Sequence, residues 1–457
     1  MDAKRVVVVG GGFAGLNVAQ RLADEEGAYD VTLIDRHPYT TFQPLLYQVA
    51  TGGLSAGDIT PALRTMAVRH RRHSFTFRRA ALTGIDRERR LALVDDGDPL
   101  PYDHLVLAQG VTSYTFGIPG ADVWARDIYT RSAAVGVRNL IFSGLEEMAA
   151  EPDPGRRFTV LVVGGGPTGV EMAGTLAELK SQGLPAVYPE LTPDMFRVVL
   201  VQHGDVLLPQ FRPRLQRYAL RELRERDTDV RLGVSVREVR ADHVVLSGGE
   251  TLEADVVIWA TGVGGFPEVR QWGLPVDRRN RILVDEHLRV RGEQDVYAVG
   301  DCADNPDDSL PQLAQPAIQG GRHVAEVIRA VDRGEEPPAY HYRDLGSMAT
   351  IGRFAAVLES GRLSLTGFPA WFLWVVVHVR ALLGGRNRLQ TLVDLSFRYL
   401  SWPRSATQVV GDVAPRLEQE KRLADARDKV LNDEAEGPSV LTGRPRRAEE
   451  SAPDSPA

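Results

Sequence analysis

Continuous runs of valine, isoleucine and leucine recur along the chain. The first is Val6–Val9 and ends directly on a glycine. Others are Val31–Asp35, His104–Ala108, Phe158–Val163, Arg197–Val201 and Asp255–Ala260. Apolar residues that do not alternate with polar ones mark strands buried on both faces, as in a parallel sheet covered by helices. Helical stretches separate the runs, so the pattern predicts an α/β protein. The same design occurs twice, about 150 residues apart. That is a duplication of architecture and not a short-period repeat.

The pattern changes near the end. FPAWFLWVVVHV, Phe368–Val379, is apolar apart from one histidine. It is short of the about 20 residues that cross a bilayer. Asn387–Trp402 is amphipathic: Leu389, Leu392, Val393, Phe397 and Leu400 share one helical side, and Arg388, Gln390 and Asp394 lie off it. After Pro403 the chain turns polar. Arg416–Asn432 has the makings of a charged helix, and the last stretch has a disorder-like composition.

Composition narrows the function classes. At 457 residues, two to four domains are expected. One cysteine, Cys302, leaves no disulfide framework and no internal thiol pair. A net charge of -7 argues against a nucleic-acid partner. Histidines are few and unclustered, so no metal site is expected. The N-terminus, with Asp2, Lys4 and Arg5 before a short apolar run, does not read as a signal peptide.

The glycines carry the chemistry. Gly10-Gly11-Gly12-Phe13-Ala14-Gly15 follows the first strand and satisfies GxGxxG through Gly10, Gly12 and Gly15. Such a turn opens a helix whose free N–H groups receive a pyrophosphate. Asp35, with Arg36 beside it, ends the next strand 20 residues past Gly15, where a carboxylate accepts hydrogen bonds from ribose hydroxyls. Gly164-Gly165-Gly166-Pro167-Thr168-Gly169 repeats the motif after a later strand. The expected fold is therefore two Rossmann-like dinucleotide-binding domains, and the simplest pair of ligands is a resident flavin and a transient nicotinamide. The strand after the second cluster ends in Gln202, where an acid would favour NADH. Glutamine removes the repulsion of a 2′-phosphate without adding attraction, and Arg212 and Arg214 follow at some distance, so NADH and NADPH both stay open. Glu171, placed in the first turn of the second helix, has two readings: a partner of the helix dipole, or a proton-carrying group beside nicotinamide and flavin.

Further stretches carry a family resemblance. HPYTTFQPLLYQVATG at His37–Gly52, VYAVGDCA at Val296–Ala303, LAQPAIQG at Leu313–Gly320 and YRDLGSMATIGR at Tyr342–Arg353 join the two glycine clusters and the aromatic C-terminal segment. Over roughly residues 5–402 the chain resembles the type II NADH:quinone oxidoreductases. The resemblance implies non-covalent FAD held by the first turn, Asp35 and Asp301. It implies NADH or NADPH on the second turn, and a membrane quinone near Gln315 and Gln319 of the AQxAxQ motif. Glutamines four apart share a helix face; without that context they read as a solvated surface. It also implies a peripheral enzyme on the cytoplasmic side of the cell membrane that pumps no protons, with dimerisation through the C-terminal region a further option.

The implied layout is residues 1–117 and 265–366 for FAD, 118–264 for NAD(P)H, 367–402 for membrane docking and 403–457 for a polar tail. In Ala108-Gln109-Gly110, Gln109 stands where the usual Ala-Thr-Gly has threonine, whereas Ala260-Thr261-Gly262 keeps it. Thiol-dependent relatives, the disulfide reductases and sulfide:quinone oxidoreductases, need cysteines that this chain lacks. Cys302 itself reads as a small buried residue near a helix start. The aromatic and arginine-rich C-terminal helices suit an anionic membrane surface; a core or dimer interface needs the same apolar residues. Two other functions keep the fold: a soluble reductase of a small iron–sulfur protein, and a non-enzymatic nucleotide sensor.

Overall fold

A computed structural model describes residues 3–25, 27–69 and 75–400, with side chains to residue 396. The stripe positions Phe397 and Leu400, two of the arginines of the arginine-rich C-terminal segment (Arg398 and Arg404), and the polar tail with its charged segment 416–432 lie outside the described side chains or residues.

The valine runs form two parallel five-stranded sheets. In the first, Lys4–Val9 is central, flanked by Tyr29–Asp35 and His104–Leu107, with Phe75–Arg79 and Val296–Ala298 at the edges. In the second, Phe158–Val163 is central, flanked by Phe196–Gln202 and Val256–Trp259, with Thr228–Leu232 and Ala125–Arg126 outermost. Val6 to Val9 and Phe158 to Val163 are buried throughout, which accounts for their unbroken apolar sequence.

The first sheet is closed only by Val296–Ala298, so its fold is split in sequence around the second sheet. Thr112–Ser113 pairs antiparallel with Val263–Gly264 where the chain crosses between the two folds.

A three-stranded antiparallel sheet, Ser347–Gly352, Ala355–Ser360 and Leu363–Thr366, precedes the helix Gly367–Ala381. The sequence grouped these strands with the returning FAD half. They pack on the helix Pro167–Glu178 of the second fold, and Ala349, Ile351 and Ala355–Leu358 share its core. Gly174 permits the contact: a Cβ there would lie 2.4 Å from the Ile351 carbonyl oxygen.

The helices Gly367–Ala381 and Gly385–Leu400 match the two C-terminal segments read from the sequence. The first roots itself through Ala370, Trp371 and Trp374, and Tyr47 touches the Trp374 ring. The second buries Thr391 and Leu395 and leaves Leu389, of its apolar stripe, 65% exposed. Phe368, Phe372, Val376, Val377, Leu392 and Val393 are exposed as well. Among the described residues no helix is long and apolar enough to cross a membrane.

Gly174→Ala is expected to push the helix Pro167–Glu178 off the Ser347–Gly352 strand. Overpacking of this kind costs about 1–3 kcal/mol, read as a lower thermal midpoint; an unchanged midpoint would show that the strand gives way freely.

Candidate functional site

The two glycine turns are built alike. The Cβ of a residue at Gly15 would lie 1.9 Å from the Gly10 oxygen, and at Gly169 it would lie 1.8 Å from the Gly164 oxygen. Only glycine lets each helix close on its strand. The helices Phe13–Ala23 and Pro167–Glu178 begin at Gly12 and Gly166, with no side-chain cap and no acid in the first turn. Their N-terminal N–H groups and positive dipole ends are thus left uncompensated. Gly12 and Gly166 face open space.

The next strand of each fold supplies one acceptor to its turn. Asp35 Oδ2 accepts from the Gly11 N–H at 2.7 Å, and Oδ1 accepts from the His37 N–H at 2.7 Å. Gln202 Oε1 accepts from the Gly165 N–H at 2.8 Å. The glutamine thereby keeps the loop-holding contact of an acid and presents an uncharged amide in place of a second carboxylate oxygen. Arg36 lies over the Phe266 ring and pairs with Glu268 at 3.5 Å.

Around the first turn, polar groups are buried without partners. Both amide atoms of Gln109 are buried and unbonded, a cost that a bound polar ligand would relieve. Burial pushes the Asp301 carboxyl up to about 7. The Tyr129 phenol feels Asp301 and is held neutral by burial. Tyr129 was not singled out in the sequence, because its signal is nearness to Asp301 across the fold. The open helix end, the unpartnered amide and the buried carboxyl together fit a flavin dinucleotide.

Glu171 differs from its sequence placement. The helix starts at Pro167, so Glu171 lies beyond the first turn and away from the free N–H groups, which removes the helix-dipole reading. It is buried, and desolvation raises its carboxyl to about 8, only partly offset by the Thr350 N–H that donates to Oε1 at 3.3 Å. The Thr350 hydroxyl meets the Tyr47 hydroxyl at 2.8 Å, and Gln48 Nε2 donates to Tyr47 at 3.0 Å. Tyr47 and Gln48 belong to the His37–Gly52 stretch, whose contribution the sequence did not specify.

Gln315 and Gln319 both lie on the helix Ala314–Asp332 and are half-buried. Gln319 is engaged at both ends of its amide: Nε2 donates to the Arg343 carbonyl at 3.0 Å and Oε1 accepts from the Arg343 N–H at 3.1 Å. Cys302 lies in the turn after Val296–Ala298 and not at a helix start. Its Sγ–H reaches the carbonyls of Leu107 and Val299 at 3.4 Å, and burial pushes the thiol up to about 12.

On the first C-terminal helix, His378 stacks on Trp374 and donates Nδ1–H to its carbonyl at 2.7 Å. Burial lowers its pKa to about 4, so the ring is neutral.

Residues 4–321 match the pyridine nucleotide-disulphide oxidoreductase family. The type II NADH:quinone oxidoreductase NdhA of Mycobacterium tuberculosis is 35% identical, over 90% of each chain. This chain belongs to the type II NADH:quinone oxidoreductase family. The enzyme of that name from Haemophilus influenzae is 30% identical over 87% of this chain and 98% of its own. A solved structure of NDH2 from Plasmodium falciparum in complex with NADH has a TM-score of 0.80 at 21% identity, covering 88% of this chain and 99% of that one, a likeness of fold. In this type II enzyme FAD is the resident cofactor and a nicotinamide the co-substrate, as the two turns led us to expect.

The buried Glu171 makes stability depend on pH. Between its ordinary value of 4.5 and about 8, the folded chain holds a proton that the unfolded chain has lost. Stability therefore falls as pH rises through that window, by about 1.4 kcal/mol per pH unit for a fully coupled group. Glu171→Gln is expected to flatten this part of the profile in denaturant titrations at pH 5 to 9; an unchanged slope would mean that Glu171 ionises freely.

Proposed function

We propose that this type II enzyme is a peripheral, non-proton-pumping NAD(P)H:quinone oxidoreductase of the membrane surface. The observation that carries the reading is the pair of uncapped glycine-turn helices, each held by an acceptor from the following strand. Gly10, Gly12, Phe13, Ala14 and Gly15 receive the FAD pyrophosphate on backbone N–H groups, while Asp35 and Arg36 serve the adenosine end. Gln109, Gly110 and Asp301 line the flavin side. Gly164, Gly166, Pro167, Thr168 and Gly169 receive the nicotinamide dinucleotide, with Gln202 at its ribose and Gly262 on the facing turn. When bound, FAD supplies the two-electron chemistry, accepting a hydride from the nicotinamide and reducing the quinone.

The remaining work falls to the protein. Reducing a quinone to a quinol takes up two protons. Glu171 is a neutral acid below pH 8 and so is able to hold and release one. Thr350 ties it to Tyr47, and Tyr47 to the docking helix through Trp374. Gln315 offers its amide to a quinone carbonyl. Gln319, clamped on the Arg343 backbone, acts as a positioning residue for that helix turn. Exposed Phe368, Phe372 and Leu389, with Arg380, Arg386 and Arg388 around them, suit a bilayer surface from which a lipid-soluble quinone enters.

Anaerobic mixing tests the reading. NADH or NADPH should bleach the flavin, and a soluble quinone should restore its colour. Bleaching without reoxidation by quinone favours a different acceptor, such as an iron–sulfur protein; no bleaching with either nicotinamide sinks the enzyme reading. Glu171→Gln should lower the quinone-dependent kcat by about a hundredfold and remove an alkaline limb near pH 8.

Gln202→Glu tests the ribose site separately. It keeps the acceptor for the Gly165 N–H and adds a charge, so the preference for NADH over NADPH in kcat/KM should rise about tenfold, as expected for about 1.4 kcal/mol of repulsion. An unchanged ratio would remove Gln202 from the ribose site.

A further inference from the structure

The helix Pro213–Glu225 of the nicotinamide-binding fold carries a basic stripe with no part in the chemistry above. Arg214, Arg217, Arg221 and Arg224 are spaced three, four and three apart, so they lie along one side of the helix. All four are exposed, and Leu215, Ala219 and Leu223 bury the opposite side. The acids of this helix only partly offset them. Glu222 pairs with Arg226, off the stripe, and Glu225 reaches Arg221 at 3.7 Å with both side chains in solvent. Among the described residues, Arg214, Arg217 and Arg224 form no ion pair. A chain of net charge -7 is repelled as a whole by an anionic surface, so a one-sided basic face orients it.

The helix that carries the stripe lies beside the base of the helix Gly367–Ala381, which exposes Phe368, Phe372, Val376 and Val377. It packs on the strands Ala355–Ser360 and Leu363–Thr366, which lead into the docking helix Gly367–Ala381. Arg212 anchors it there by pairing with Glu359 at 2.9 Å and donating to the Gly361 carbonyl at 2.6 Å. Tyr218, at the margin of the stripe, points its hydroxyl to within 3.6 Å of the Cβ position of Gly367. Exposed Arg362 lies in the turn before the strand Leu363–Thr366, which exposed Leu363 begins, and exposed Phe368 follows just after that strand.

We propose that the Arg214–Arg224 stripe is a second membrane contact, binding anionic lipid headgroups and seating the nicotinamide-binding fold on the bilayer beside the docking helices. The proposal rests on the membrane reading above. Charge complementarity and continuity with the apolar face select a lipid surface as the occupant. The contact divides the labour of docking. The C-terminal helices enter the apolar layer whatever the headgroup, and the stripe adds affinity only where headgroups are anionic and salt is low.

The test is co-sedimentation of full-length, FAD-loaded enzyme with vesicles of phosphatidylcholine alone, or of phosphatidylcholine with phosphatidylglycerol. It uses wild type, the triple variant Arg217→Gln/Arg221→Gln/Arg224→Gln, and the double variant Phe368→Ser/Phe372→Ser. Anaerobic flavin reduction by NADH checks that each variant is folded. The triple variant is expected to bind the anionic vesicles about fivefold more weakly for each arginine removed, to lose most of their salt dependence, and to bind neutral vesicles as wild type does. The double variant should weaken on both. Unchanged binding of the triple variant to anionic vesicles overturns the stripe while the membrane reading stands. Failure of wild type to bind either vesicle overturns both. Altered sedimentation of the free triple variant, with unchanged vesicle binding, assigns the stripe to a second copy of the chain and also overturns the proposal.

Discussion

Everything in the architecture depends on a backbone contact too close for any side chain. Gly15 presses against the Gly10 carbonyl, and Gly169 against the Gly164 carbonyl. Each contact draws a helix start over the end of its strand and leaves the first N–H groups pointing into open space. A capping side chain would satisfy those groups and close the site. Neither helix has one. Local stability is given up, and the turn is left open where a diphosphate is proposed to complete it. The strand that follows then fixes the loop with one acceptor, Asp35 in the first fold and Gln202 in the second.

The two folds are joined by what lies between them. Glu171, on the second glycine-turn helix, is covered by the Ser347–Gly352 strand, and Thr350 on that strand bonds Tyr47 of the first fold. Tyr47 in turn packs against Trp374 of the helix Gly367–Ala381. The second glycine-turn helix, the first fold and the helix Gly367–Ala381 thus meet at one buried set of side chains. A shift in any of the three changes the surroundings of a carboxyl that already titrates near neutrality.

Much of this was legible because its causes are local. A strand, a glycine turn and an acid 20 residues later are adjacent in sequence, and their geometry follows from steric rules. The two C-terminal helices showed in their apolar runs for the same reason. The environment of Glu171 was not legible, since its partner Thr350 is 179 residues away and its burial depends on a sheet that packs across domains. Tyr129 stayed hidden because its nearness to Asp301 exists only after the first fold closes. The AQxAxQ glutamines looked equivalent on one helix face, but the segment at Arg343 occupies Gln319 and leaves Gln315 otherwise placed.

Cys302 has a consequence beyond separating this enzyme from thiol-using relatives. Its sulfur lies under two main-chain carbonyls, in a position where the thiolate is strongly disfavoured. Peroxides and alkylating agents attack thiolates, and those that are exposed react first. A flavoprotein that meets dioxygen works close to such oxidants. This one presents them with no reactive sulfhydryl among its described residues, so Cys302 does not serve as an oxidant-sensing switch.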